Sequence, residues 1–150
     1  MRIKSSKRAL SQRRMVIALD KACRMEVVEG RDRNTCQRCG KHQGDWDAEI
    51  QAPVRIQWAH VHTREYYVTR WEPDNSLALC SRDHVWFDNH KVLSYEWFSK
   101  LWGDRWQNIQ NVLNSGARVR VKDLYEELKA MPPGREIKYM PIPPDSEMPF

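Results

Sequence analysis

Residues 58–90 read WAHVHTREYYVTRWEPDNSLALCSRDHVWFDNH and set the architecture expected of the chain. Residues 54–62 alternate in a way that suits a strand. One face of that strand would carry Ile56, Trp58, His60 and His62. A turn at 74–75 and a short apolar run at 77–79 predict a second strand, and a helix is expected from about Asp83. The order is therefore strand, strand, helix.

Three side chains in this stretch suit phosphodiester hydrolysis. His60, near a strand end, is the candidate general base, because an imidazole can deprotonate water near neutral pH. His84 and Asp88 lie four residues apart and would share one helix face, where they could hold a divalent ion. Mg²⁺ prefers oxygen ligands, so the imidazole leaves Mn²⁺, Ni²⁺ and Zn²⁺ open as well. The plainer interpretation is a hydrogen-bonded strand histidine and an exposed helix pair.

The cysteines indicate a second, structural metal. Cys36 and Cys39 have the spacing of a zinc knuckle, and the following Gly40 permits a tight turn. Taken alone, such a pair is a weak signal. Cys23 lies beside the apolar stripe of a predicted helix, so we expect it to pack in the core.

The rest of the chain predicts helices around this centre. Residues 11–28 carry an apolar stripe at helical spacing, as do two later segments. Those segments and a further short helix occupy 94–102, 104–113 and 122–130. The predicted organisation is a flexible basic arm at 1–14, one domain at 15–131 and a Pro-rich tail at 132–150.

The charge distribution favours DNA as the partner. The formal net charge is +5 at pH 7, and residues 1–33 hold ten Lys/Arg against four Asp/Glu. Such a segment gains affinity for DNA by releasing counterions from phosphates, although solvated surface charge gives the same pattern. Arg64 and Arg70 flank the predicted site and could clamp phosphates. No apolar run is long enough to span a bilayer, so we expect a cytoplasmic protein with no membrane contact.

The ordered set Cys36-x₂-Cys39, Ala59-His60-Val61, Asn75 and Leu79-Cys80-x₂-Asp83-His84 resembles the HNH endonucleases, the ββα-metal or His-Me finger group. Within that group it is similar to small phage-encoded recombination nucleases of the NinG type. The resemblance covers residues 28–90.

The resemblance implies an α+β fold with a ββα-metal core, a structural zinc beside it and DNA cleavage with one catalytic divalent cation. The predicted N-terminal and C-terminal helices would flank this core. His60 takes the position of the general base and His84 that of the helix ligand. Asn75 takes the position of the asparagine that braces the loop between the strands. A phage-encoded member would act in the host cytoplasm.

The chain departs from the family pattern at two positions. Ala59 stands where many members have Asp or His that ligates the catalytic ion, so His62 or a loop carboxylate such as Asp47 would have to substitute. Asp83 stands where the fourth zinc cysteine is usual. Zinc accepts a carboxylate oxygen, so two ligand sets are possible. One is Cys36, Cys39, Cys80 and Asp83, and the other replaces Asp83 with His84. We favour Asp83, because the x₂ position faces the knuckle.

These patterns predict a metal-dependent HNH DNA endonuclease that acts in phage recombination, packaging or DNA processing. The competing hypothesis is a zinc-stapled DNA-binding protein without cleavage activity, which the residues at positions 59 and 83 favour. Nothing in the sequence marks a dimer interface.

Overall fold

The computed structural model describes residues 7–131 and has the mixed α+β architecture expected from the sequence. The helices are α1 (Lys7–Arg24), α2 (Tyr67–Arg70), α3 (Ser81–Asn89), α4 (Lys91–Leu101), α5 (Gly103–Asn114) and α6 (Val121–Ala130). The strands β1 (Trp46–Asp47), β2 (Ala52–Pro53), β3 (Ile56–His60) and β4 (Ser76–Cys80) form two antiparallel pairs, β1–β2 and β3–β4. A π-helical segment, Met25–Arg31, follows α1, and a 3₁₀ turn, Pro73–Asn75, precedes β4. The predicted tail and residues 1–6 of the predicted arm lie outside the described residues.

Helix α1 begins inside the predicted basic arm. Residues 7–14 form its first turns, because this segment has no Gly or Pro to interrupt a helix. The π-helical segment continues from α1 and buries Val27 and Val28. Cys23 is also buried, and its Sγ donates to the carbonyl oxygen of Trp71 at 3.6 Å. The predicted core position of Cys23 is therefore confirmed.

Strands β3 and β4 form a hairpin, and α3 follows β4 directly. The register pairs Ile56 with Cys80 at one end and His60 with Ser76 at the other. Both α3 and the π-helical segment contact the two strands, and every residue of β4 is buried. A strand covered on both faces needs apolar residues without alternation, which accounts for the run at 77–79.

Strand β3 is shorter than the predicted 54–62, because the side chain of Asn75 binds the chain just beyond the strand end. Its Oδ1 accepts from the backbone N–H of His62 at 2.9 Å, and its Nδ2 donates to the carbonyl of His62 at 3.1 Å. These bonds take the place of a strand ladder. His62 therefore lies beyond β3, and the strand alternation that was expected to place it beside His60 ends before it.

A small hairpin occupies the region predicted to be an irregular loop. In it, β1 pairs with β2 through Trp46 with Pro53 and Asp47 with Ala52. Strands of two residues carry no period-two pattern, so the sequence could not reveal them.

Helices α4 and α5 lie where the sequence predicted helices and contribute aromatic side chains to the core that includes the hairpin. Phe98 is fully buried, and its ring centroid lies 5.2 Å from that of Trp102 and 6.4 Å from that of Trp106. Helix α6 packs against α1. Within residues 7–131, no helix combines the length and apolar character required to cross a bilayer.

Candidate functional site

Three cysteines and one aspartate converge at the start of α3, and we call these four residues the sulfur cluster. The knuckle that holds Cys36 and Cys39 is closed by a bond from the N–H of Gly40 to the carbonyl of Cys36 at 2.9 Å. Gly40 has φ of 77°, a left-handed conformation that glycine adopts without strain. Cys80 ends β4 and Asp83 follows within the first turn of α3. One donor atom from each of the four lies within 4.8 Å of the others, so the cluster could hold a metal ion.

The spacing of these donors fits a tetrahedral ion. Around zinc, two sulfurs lie about 3.8 Å apart, and a sulfur and an oxygen about 3.5 Å. The Sγ atoms of Cys39 and Cys80 are 3.9 Å apart, and Oδ2 of Asp83 lies 3.2 Å from Sγ of Cys36 and 3.4 Å from Sγ of Cys80. The backbone N–H groups of Cys39 and Asp83 each donate to a cluster sulfur at 3.5 Å, which suits thiolates.

Arg38 anchors the aspartate of the cluster, and the sequence analysis missed it. Its Nη1 donates to Oδ1 of Asp83 at 2.6 Å, and its guanidinium lies over the ring of Trp86, 3.8 Å from the centroid. Burial would raise the pKa of Asp83, but hydrogen bonds from Cys36 and Arg38 outweigh burial and lower that pKa. Residues that hydrogen-bond to a metal ligand, as Arg38 does to Asp83, orient that ligand. The position of Arg38 between the two knuckle cysteines was the sequence signal that could have identified it.

His84, the next residue along α3, lies outside the sulfur cluster. Its Nδ1 is 2.8 Å from Oε1 of Gln57, and its Nε2 is 3.3 Å from Oδ2 of Asp88. An amide oxygen only accepts, so Nδ1 carries a proton, and in the neutral ring Nε2 presents its lone pair to the carboxylate. Burial lowers the pKa of His84, and Arg64 adds to this effect while Asp88 opposes it.

Two acceptors that face each other, Nε2 of His84 and Oδ2 of Asp88, repel unless a proton or a cation lies between them. Neighbouring ligands of one ion at about 2.1 Å lie about 3.0 to 3.4 Å apart, and the observed 3.3 Å falls in this range. The pair is therefore arranged as two ligands of a divalent ion would be.

His60 is held as a neutral imidazole at the end of β3. Its Nε2 is 3.2 Å from the carbonyl oxygen of Arg70, so this nitrogen donates and Nδ1 keeps a lone pair. The ring packs 4.1 Å from that of Trp58, centroid to centroid, and 7% of the residue is exposed. Burial, with Arg64 adding to it, lowers the pKa of His60 to about 4. At neutral pH the ring is therefore unprotonated, and its Nδ1 can act as a hydrogen-bond acceptor.

Arg64 links the two histidines. Its side chain is exposed, and its Cζ lies 5.6 Å from the ring centroid of Trp58, which contacts His60. The charge of Arg64 lowers the pKa of both His60 and His84. We call His60, His84 and Asp88 the imidazole site.

Two buried arginines hold the strand opposite His60. Nη2 of Arg31 and Nη2 of Arg105 donate to the carbonyl oxygen of Ser76 at 2.7 and 2.9 Å. Burial lowers the pKa of Arg105 to about 9. Ser76 is the register partner of His60, so these bonds fix the end of the hairpin where the base candidate lies.

Arg70, predicted to contact phosphate, is bound to another residue. Its guanidinium donates to both carboxylate oxygens of Asp20 on α1, at 3.0 and 2.7 Å. Only 14% of its side chain is exposed. Arg70 contributes its backbone carbonyl to His60, and its charge is neutralised within the protein.

The two residues suggested to replace a metal ligand at position 59 are also bound to other side chains. Nε2 of His62 is 3.0 Å from Oε1 of Gln110, and Asp47 pairs with Lys41 at 3.0 Å. Ala59 itself is fully buried, and strand alternation puts it on the same side of β3 as Gln57.

Comparison with known proteins gives no match to a family model, to a curated protein or to a solved structure. The function is therefore argued from the chain's own residues.

Proposed function

We propose that the protein is a metal-dependent DNA endonuclease of the HNH type. The observation that carries the proposal is the contact between Nε2 of His84 and Oδ2 of Asp88, two acceptors 3.3 Å apart beside a hairpin that ends in a neutral histidine. The hairpin β3–β4 followed by α3 has the strand, strand, helix order that the motif implies, which supports the proposal. The basic N-terminal segment supports DNA as the substrate.

His60 acts as the general base in this proposal. Its Nδ1 lone pair takes the proton of the attacking water, and the Arg70 carbonyl keeps the other nitrogen protonated so that the reactive tautomer is maintained. Arg64, exposed and near both histidines, binds the scissile phosphate. His84 and Asp88 would hold a divalent cation, which would supply positive charge to stabilise the transition state.

Zinc is the ion we propose for the sulfur cluster. Three sulfurs with one carboxylate oxygen are donors that zinc accepts, and three of the four residues are buried, as is usual for a structural ion. The role proposed for this ion is to fasten the knuckle to the hairpin and to the first turn of α3.

A plasmid-nicking assay tests the enzymatic proposal. Supercoiled plasmid is incubated with the purified protein in Mg²⁺, Mn²⁺ or Ni²⁺, and wild type is expected to nick it. His60→Gln is expected to lower the nicking rate by about 10²- to 10⁴-fold, the usual contribution of a general base. His90→Gln, an exposed histidine just after α3, is the matched control and retains the activity. No nicking by wild type, or equal nicking by the two variants, would overturn the proposal.

The competing function is DNA binding without cleavage, favoured by the methyl group of Ala59 at a position where the family pattern supplies a ligand. It predicts DNA binding that weakens steeply with salt and no nicking under any of the three ions. The same plasmid assay, paired with a gel shift, separates the two functions.

A further inference from the structure

A groove of about 880 Å³ runs between α1 and α6, and no residue of either candidate metal site lines it. Its lining includes Met15 of α1, Tyr67 of α2 and the segment 119–122 that leads into α6. Tyr125 and Lys129 of α6 complete one wall. The groove joins three elements that are distant in sequence, so its shape is fixed by the tertiary fold.

The edges of this groove carry excess positive charge. Arg120, Lys122 and Lys129 line it, against one acid, Glu126. Glu126 already pairs with Lys129, whose Nζ lies 3.4 Å from Oε1. Arg120 and Lys122 are exposed and have no ion-pair partner among residues 7–131. Two cations are therefore free to bind phosphates.

Two aromatic rings line the same groove as these cations. Tyr67 is 36% exposed, and Tyr125 is half-buried in the opposite wall. Rings in a basic groove are the arrangement on which unpaired bases stack while the phosphates bind the cations. In a duplex each base face is covered by its neighbours, so a duplex could not use these rings.

The groove begins close to the imidazole site. Tyr67 and Arg70 are the first and last residues of α2, one helical turn apart and so about 5 Å along its axis. The carbonyl of Arg70 is the group that orients His60. Helix α2 therefore connects one wall of the groove to the residue that orients His60.

We propose that this groove binds single-stranded DNA beside the imidazole site. The binding itself does not depend on catalysis, whereas its use in choosing the cleavage position rests on the proposed nuclease function. The substrate class that follows is DNA with an unpaired segment next to the scissile bond.

The test measures fluorescence anisotropy of a labelled single-stranded oligothymidine and of a duplex of equal length, using full-length protein that carries His60→Gln so that the DNA stays intact. Adding Tyr67→Ala and Tyr125→Ala is expected to weaken single-strand binding at least tenfold, in line with the cost of losing base stacking. Duplex binding is expected to change less than threefold. Tyr67→Phe with Tyr125→Phe keeps the rings and is expected to retain single-strand affinity.

The phosphate contacts are tested in the same assay with Arg120→Gln and Lys122→Gln. Loss of two single-strand phosphate contacts lowers the slope of log Kd against log salt by about 1.4. Arg55→Gln with Lys100→Gln removes the same charge from exposed residues that do not line the groove, and a smaller slope change is expected. Unchanged single-strand affinity in the Ala variant, an equal loss for duplex, or an equal loss in the Phe variant would overturn the groove proposal. All these proteins carry His60→Gln, so the assay measures binding alone. Its result can be interpreted even if the nuclease proposal fails.

Discussion

The sulfur cluster and the imidazole site meet at consecutive residues of α3, Asp83 and His84, yet they are built in opposite ways. All four donors of the sulfur cluster converge, and its aspartate is tied to Arg38. In the imidazole site Asp88 has 53% of its side chain exposed, and only two donors face each other. A closed set of donors leaves no room for a substrate, whereas an open set leaves positions for water and phosphate. This difference in exposure and number of donors is why we propose a structural role for the sulfur cluster and a catalytic role for the imidazole site.

The largest expected effect is on folding, from Cys36→Ala. Structural zinc in small domains contributes roughly 10 kcal/mol or more of binding free energy, which is lost if one thiolate is removed. We expect a variant that retains no bound zinc and fails to fold, measured by circular dichroism and by mass spectrometry of metal content. Cys23→Ala removes a buried cysteine outside the cluster and is the control, expected to stay folded with metal bound. Equal folding and equal metal content in the two variants would contradict a structural role for the cluster.

The imidazole site should reveal itself in the pH dependence of stability. The pKa of His60 is about 4 in the folded protein and near its ordinary value of 6.5 in the unfolded chain. Between pH 6.5 and 4 the unfolded chain takes up a proton that the folded protein does not, so stability falls as the pH falls. The contribution of His60 is at most about 3 kcal/mol. Urea unfolding at pH 7 and pH 4.5 is expected to show a smaller loss in His60→Gln than in wild type. An equal loss of stability in His60→Gln and in wild type would mean that the buried ring is not held neutral.

Asp88→Asn tests whether Asp88 serves as a metal ligand in the imidazole site and not as a stabilising ion pair. Removing one ligand charge is expected to lower nicking about 100-fold at limiting Mn²⁺, with partial recovery at high Mn²⁺. Because Asp88 is largely exposed, the free energy of unfolding should change by less than about 1 kcal/mol. Asp104→Asn, an exposed aspartate on α5, is expected to leave nicking unchanged. A large loss of stability in Asp88→Asn would indicate a structural ion pair.

The smallest expected effect comes from Gln57→Leu, which removes the acceptor that fixes the tautomer of His84. Removing a residue that hydrogen-bonds to a metal ligand lowers metal affinity by about tenfold in the mildest cases. The Mn²⁺ concentration for half-maximal nicking should rise by about that factor, with the maximal rate retained. Gln107→Leu on α5 serves as the control. A change in the maximal rate without a shift in metal dependence would contradict the assigned tautomer.

Local patterns were enough to predict the main helices, the hairpin and the core position of Cys23, because periodicity and spacing are recorded within short windows of sequence. The membership of Asp83 in the cluster came from the family resemblance, which aligns this residue with the fourth zinc cysteine, and its spacing from Cys80 favoured it over His84. Pairings between distant segments could not be found in this way. Asp20 with Arg70, Arg38 with Asp83 and Gln57 with His84 each join residues from separate elements.

The end of β3 shows the same limit at a single residue. Alternation predicted that His62 continues the strand, but the buried side chain of Asn75 redirects the backbone there. A side-chain bond from 13 positions away leaves no trace in the local pattern of either segment.

Helix α3 imposes a constraint on how this chain can vary. Its first turn carries Asp83 to the sulfurs, and the same rigid helix carries His84 to Gln57 and to Asp88. Inserting or deleting one residue after Cys80 would rotate everything downstream by about 100° and carry the imidazole away from β3. Substitutions at outward-facing positions such as Val85, which is 60% exposed, leave this geometry intact. Variants that keep this geometry should therefore tolerate many side chains in this helix and almost no change in its length.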